Sequence, residues 1–255
     1  MITKVSIWDK LLTTDNNQIK KWILPKPTNE AEIHNCSLNY ILQKVLCRRG
    51  LDLTTELDGY LNPTDLPNPE DHFNELKKAT ERIIEACRRK EKIAICGDYD
   101  ADGITSTVLL VELLSNLGAN PIPFIPSRQD DGYGLNIKMI NEIYTKEIKL
   151  GITVDNGISA FKAINRANEF GIDLIITDHH KIPNTKIDVF AIIHPEKSPI
   201  NSPYKYLAGV GIAYILSKNI CDKLNYDIKN SSANVLFCIG TIADMAPLKG
   251  ANRKW

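Results

Sequence analysis

The sequence has no apolar run approaching the ~20 residues that a helix needs to cross a bilayer. It also lacks the nucleophile and nucleotide signatures GxSxG, HExxH and GxxxxGK[ST]. Its six cysteines (Cys36, Cys47, Cys87, Cys96, Cys221 and Cys238) form no CxxC pair. That argues against a zinc ribbon or a disulfide framework and fits a reducing, cytoplasmic setting. The opening MITKVSIWDKLLTTDNNQ has no apolar core of the kind a secretory leader carries. Charge of one sign is missing too: 31 Lys and Arg balance 31 Asp and Glu. A polyanion would therefore have to be held by local patches or by metal ions, not by a uniformly basic surface.

What is present is the balance of a globular chain, long enough for one large or two small domains. Residues 1–70 read as an irregular lead-in with short helices. Leu38, Ile41, Leu42, Val45 and Leu46 follow helical spacing ahead of Arg48-Arg49-Gly50, and a second helix near 53–61 stops at Asn62-Pro63. NPTDLPNPEDH, with three prolines, reads as a linker. A helix is expected over about 73–89. Its Lys77, Lys78 and Arg82 are interrupted by Glu75, Glu81 and Glu85, which favours a solvated face over a nucleic-acid track. From residue 92 onward, β-branched runs alternate with helical ones. KIAIC, PIPFI, LGITV, IDLIIT and VFAII are expected strands, and helices are expected near 105–117, 137–145, 160–170, 208–224 and 233–243. That rhythm predicts an α/β domain over 71–255, with a mostly parallel sheet and helices on both faces, preceded by a small helical N-terminal region over 1–70.

Three of these strands run into acid. KIAIC leads to Gly97-Asp98-Tyr99-Asp100-Ala101-Asp102-Gly103, LGITV to Asp155-Asn156-Gly157, and IDLIIT to Asp178-His179-His180. Open α/β sheets bind ligands at the carboxyl ends of their strands. If the three strands are neighbours, five aspartates and two histidines meet on one rim, where mutual repulsion would force some carboxylates to protonate. Divalent cations remove that penalty, and hard oxygen donors with one or two imidazoles suit Mn²⁺ or Mg²⁺. The expectation is a binuclear metal centre whose ions, ~3.5–4 Å apart, activate water and stabilise a phosphoryl transfer. Competing readings account for less. An EF-hand loop starting at Asp98 would place Leu109 at the position of its bidentate Glu. A dehalogenase-type phosphatase built on Asp100-x-Asp102-Gly would leave Asp155 and the DHH triplet idle. Helix N-caps explain Asp155 or Asp178 singly but not all three acidic strand ends together.

GDYDADG, the aspartate of VDNG, the DHH triplet and the late GTIADMAPL resemble the four ordered motifs of the DHH phosphoesterase superfamily. Within it, Arg49-Gly50, YLNP, SRQDDGYGLN and LAGVGIAYIL resemble the RecJ-type exonucleases of bacterial DNA repair, along essentially the whole chain. The resemblance implies that Asp100 and Asp155 hold one ion, with Asp98 beside it directly or through water. Asp102, Asp155, His179 and Asp244 would hold the other, with Asp155 bridging. It places His180 against the scissile phosphate and Asp178 behind an imidazole. It implies attack by a hydroxide shared between the ions, with 5′-mononucleotides released from single-stranded DNA in the 5′→3′ direction. Elsewhere in the superfamily the same chemistry serves oligoribonucleotides, cyclic dinucleotides or pyrophosphate, and some members are non-catalytic scaffolds of replication. The family's second catalytic domain, which grips the substrate, and its OB-fold domain are not within these 255 residues. The resemblance thus implies impaired activity for this chain alone.

Two positions depart from the pattern. Cys96 stands where a histidine is frequent and reads as a core residue as readily as a gap in the first metal site. His194, before Pro195, reads as a loop residue rather than a ligand. Arg128 is the best candidate for a phosphate contact, being in a polar loop after a strand. Tyr133 could stack on a base or simply pack. Gly209-Val210-Gly211 has neither the strand nor the third glycine of a dinucleotide fingerprint and reads as close helix packing.

Overall fold

The computed structural model describes residues 38–63, 65–127 and 133–255. They fall into two compact units that part between Asn62 and Pro63. The smaller unit carries α1 (Tyr40–Arg48) and α2 (Leu57–Leu61). Helix α1 starts where the Asn39 side chain accepts the amide of Ile41, and the chain turns off through Gly50 at φ 81°. A left-handed residue just past a last-turn arginine is a common way to end a helix.

The larger unit is a three-layer α/β/α structure. Its elements are α3 (Leu76–Arg89), β1 (Lys92–Cys96), α4 (Ala101–Asn116), β2 (Asn120–Phe124), α5 (Ile137–Thr145), β3 (Leu150–Val154), α6 (Phe161–Glu169), β4 (Asp173–Thr177), β5 (Ala191–Ile193), α7 (Gly209–Leu224), α8 (Ala233–Ala243) and α9 (Ala251–Lys254). The five strands are all parallel, in the order β2-β1-β3-β4-β5. Alternation along each strand feeds two apolar layers. Ile93, Ile95, Leu150, Ile152, Val154 and Ile175 face α3, α4, α7 and α8. Ala94, Cys96, Leu174 and Ile176 face α5 and α6. Strands buried on both faces explain the short, continuous β-branched runs.

The segment before α3 packs into this unit: Phe73 is buried and the Tyr204 hydroxyl donates to the Pro67 carbonyl. Three cations of α3 are paired with acids. Arg82 bridges Glu91 and Asp173 at 2.9 and 2.8 Å, at the amino ends of β1 and β4, while Arg89 meets Glu85 and Lys77 meets Glu81. This ties α3 to the sheet rim opposite the carboxyl ends.

One boundary differs in an informative way. The helix after KIAIC is expected from 105 but starts at Ala101, because the Asp100 side chain accepts the amide of Gly103 at 2.9 Å and caps it. The second half of GDYDADG is therefore the first turn of α4, and Asp102 sits inside it. A β-carbon on Gly103 would lie 2.8 Å from the backbone of Asp98, so only glycine lets helix and strand end approach this closely.

Leu110, fully buried on α4 against the sheet, tests this packing. Leu110→Ala should cost about 3 kcal/mol, seen in urea melts as a lower midpoint at unchanged slope.

Candidate metal centre

Strand order places the site. A 2-1-3-4-5 sheet switches direction between β1 and β3: the connection leaving β1 runs through α4 on one face, and the one entering β3 runs through α5 on the other. The loops there diverge and leave a crevice at the carboxyl ends. Asp98 and Asp100 follow β1, Asp155 follows β3, and Asp178-His179-His180 follows the adjacent β4. Asp244 arrives from elsewhere, as the C-cap of α8.

These residues form three overlapping groups of potential ligands: Asp98 with Asp100 and Asp155, Asp102 with His179 and Asp244, and Asp155 with His179 and His180. Within each group the ligand atoms all lie within 4.8 Å of one another. His179 Nε2 stands 3.0 Å from Asp155 Oδ1 and 3.7 Å from Asp102 Oδ2. The first contact is close enough to share a proton, yet Asp155 Oδ1 has no hydrogen bond of good geometry among the described residues. Both oxygens of Asp98 are buried with no hydrogen-bond partner among those residues. Buried carboxylates left this way are costly unless a cation meets them. The donor set of carboxylates plus one imidazole is that of a hard divalent ion, so the residues present fit two Mn²⁺ or Mg²⁺ ions.

The electrostatics agree. Burial raises the Asp98 carboxyl, with the Asp100 charge adding to it. Burial also raises Asp102, even though both of its oxygens accept backbone amides at 2.7 Å, from Gly209 and Val210 at the start of α7. Asp155 is pushed up to about 7 by burial and by its acidic neighbours, against the opposing contact with His179. Burial alone would lower His179, but Asp155, Asp102 and Asp244 push it up to about 9. Asp155 and His179 thus keep a proton between them at neutral pH. The Asp155 backbone is held at φ 61°, a left-handed conformation uncommon outside glycine and frequent at functional sites.

The other two residues of the triplet point differently. Asp178, 1% exposed, accepts the Ile158 amide at 2.9 Å and the His180 amide at 3.0 Å, and its Oδ1 lies 2.8 Å from His180 Nδ1. Burial opposes its ionisation, but these bonds outweigh burial and hold its carboxyl below the usual range. His180 is raised in return by Asp178 and keeps Nε2 toward the open side, 3.2 Å from the Tyr133 hydroxyl. Tyr133 also donates to the Asp155 carbonyl at 3.1 Å and lies edge-to-face with Tyr99 and His180, half exposed. Its ring covers His180 while about half of its own surface stays open.

Arg128 lies outside the described residues. The Cys96 side chain points into the apolar layer under α5 and α6, and burial pushes its thiol up to about 12, so it is core and no ligand. Gly209 has a sharper role than helix packing: a β-carbon there would lie 2.5 Å from Asp155 Cβ. The amides of Gly209 and Val210 were missed from sequence, although a glycine at a helix start was the available signal. His194 is fully buried and hydrogen-bonded to the DHH loop.

Protons and cations compete here, so the sign of the pH dependence is fixed. Below about 9, His179 must lose a proton to offer Nε2, and below about 7 Asp155 must lose one as well. Mn²⁺ affinity should climb by roughly tenfold per pH unit between those values, more steeply below 7, and level off above 9. Calorimetric titrations in buffers of differing ionisation heat should show proton release at pH 7.5 that vanishes by pH 10.

A family model described as "DHH family, N-terminal domain" matches residues 92–241. The single-stranded-DNA-specific exonuclease RecJ of Bacillus subtilis (strain 168) is 35% identical over 91% of this chain and 30% of its own length. That of Haemophilus influenzae is 36% identical over 88% of this chain and 40% of its own. The chain thus spans well under half the length of these curated relatives. Among solved structures, exonuclease RecJ bound to manganese superposes with a TM-score of 0.67 at 35% identity, covering 75% of this chain and 48% of that one. RecJ from Thermus thermophilus in complex with Mn²⁺ gives 0.69 at 30% identity, over 88% and 31%. With the acidic ends of β1, β3 and β4 gathered on one rim, the chain belongs to the DHH family.

Proposed function

We propose that the chain carries the metal-binding half of the active centre of a single-stranded-DNA-specific 5′→3′ exonuclease that serves DNA repair and recombination. One observation carries the reading: two ligand groups, Asp98-Asp100-Asp155 and Asp102-His179-Asp244, are joined through the 3.0 Å approach of His179 to Asp155 at the switch point of the sheet. When bound there, a pair of Mn²⁺ or Mg²⁺ ions would supply Lewis acidity at a phosphate and lower the pKa of a water enough to make it a nucleophile at neutral pH. Solved RecJ structures that hold manganese or magnesium support this choice of ion.

The remaining chemistry belongs to the side chains. Asp98, Asp100 and Asp155 would hold one cation; Asp102, His179 and Asp244, again with Asp155, would hold the other. The start of α7 fixes the Asp102 carboxylate in one orientation through two amides, and the same carboxylate would serve as a ligand. Asp178 fixes the His180 ring through Nδ1. The half-exposed Nε2 edge of His180 can then donate to a phosphate oxygen or to the leaving oxygen once the Tyr133 hydroxyl gives way. Arg128 would add a phosphate contact, and Tyr133, paired with Tyr99, would offer an aromatic face near the first base. The substrate is single-stranded DNA, the polymer named for the relatives.

Two substitutions separate the roles. Asp155→Ala should abolish Mn²⁺ uptake by calorimetry; affinity equal to that of the unsubstituted chain would refute the shared ligand. His180→Ala should leave uptake nearly intact while slowing release of 5′-mononucleotides from single-stranded DNA by roughly a hundredfold or more. That assay belongs in a chain extended to the length of the relatives, beside the 255 residues, whose own rate should be far lower. Equal hydrolysis of cyclic dinucleotides or oligoribonucleotides would overturn the substrate assignment.

A further inference from the structure

His194 directly follows β5, with its side chain turned under the DHH loop and no solvent exposure. Its two ring nitrogens have fixed duties. Nε2 lies 2.7 Å from the backbone carbonyl of His180, an atom that can only accept, so Nε2 carries the proton. Nδ1 accepts the Glu196 amide at 3.1 Å and so caps the turn Pro195–Lys197. The partners thus dictate one neutral tautomer. The far side of this arrangement is anchored to the body of the domain. Glu75, the N-cap residue of α3, accepts the Ile192 amide at 2.7 Å and pairs with Lys197 at 3.4 Å. Asp178 Oδ1 meanwhile grips His180 from the other face.

We propose that His194 is a positioning residue: its Nε2–H donates to the His180 carbonyl and latches the Asp178-His179-His180 loop, setting the His179 ring against Asp155 and the His180 ring against Asp178. This rests on the metal-centre reading above. His194 touches neither cation nor substrate. It acts on the backbone just after His180, so losing it frees the loop that carries both imidazoles and leaves the His180 carbonyl without this donor.

Three substitutions resolve its two bonds. His194→Gln keeps a donor near the position of Nε2, His194→Asn keeps only the turn-capping acceptor, and His194→Phe keeps volume alone. Mn²⁺ affinity should stay within about threefold of the unsubstituted chain in His194→Gln and fall roughly 10- to 100-fold in His194→Asn and His194→Phe. Melting temperatures taken with a chelator serve as the control. The latch is overturned if His194→Phe binds Mn²⁺ as tightly as the unsubstituted chain, or if affinity follows melting temperature across all three variants instead of the presence of the donor. A metal-free readout separates this from the metal assignment. Imidazole ¹⁵N shifts of His180 should change in His194→Phe and be restored in His194→Gln. If the unsubstituted chain takes up no Mn²⁺, the metal reading fails, and those shifts alone uphold or sink the latch.

Discussion

Repulsion among buried carboxylates governs this structure. Asp98, Asp102, Asp155 and Asp178 are each at most 3% exposed, and Asp100 and Asp244 crowd the same rim. Two like charges 4 Å apart cost about 4 kcal/mol even at an effective dielectric near 20, and removing each charge from water adds to that. The fold offsets part of the sum locally. The start of α7 gives Asp102 two amides, Asp178 has an amide from each of two loops plus an imidazole, and His179 leans on Asp155. Asp98 has no hydrogen bond of good geometry among the described residues, and the donors of Tyr99, Tyr133 and Gly134 near it do not outweigh its burial. The residual imbalance is of the kind that a pair of divalent cations removes.

Holding that much charge in place takes tight backbone. Asp155 adopts a left-handed conformation, and the α7 start comes so near that residue 209 has room for no side chain. Gly103 does the same where α4 meets the end of β1. Both contacts occur at the junction of β1 with β3, where the crossovers diverge and the crevice opens. Sheet order and site are therefore one constraint seen at two scales: the same switch that leaves room for a ligand brings two acidic loops side by side.

Much of this was legible in the residues. KIAIC and LGITV are strands with their expected bounds, since runs apolar on both faces leave little ambiguity, and the helices at 137–145 and 233–243 also match. The acidic strand ends announced the rim because an unpaired acid after a buried strand has few structural uses. Other features could not be read. The start of α4 depended on a cap made by the Asp100 side chain, which competes with the loop reading of GDYDADG. The hydrogen bond from His194 spans fourteen residues and that from Tyr133 to Asp155 twenty-two, and no periodicity reports on either. Cys96 was ambiguous because its side of the strand decides its role, and the register turns it inward to the layer under α5 and α6.

The DHH triplet shows most clearly why adjacency in sequence is not shared duty. His179 stands among Asp102, Asp155 and Asp244, and its raised pKa comes from that whole group, so any cation entering must take the place of its proton. His180 is raised chiefly by Asp178, which hydrogen bonds on both of its oxygens keep ionised and turned away from the rim. A cation arriving at the rim competes with the first imidazole and leaves the partner of the second in place. Of two neighbouring histidines with the same titration in solution, the surroundings set one among three carboxylates and tie the other to a single ionised partner.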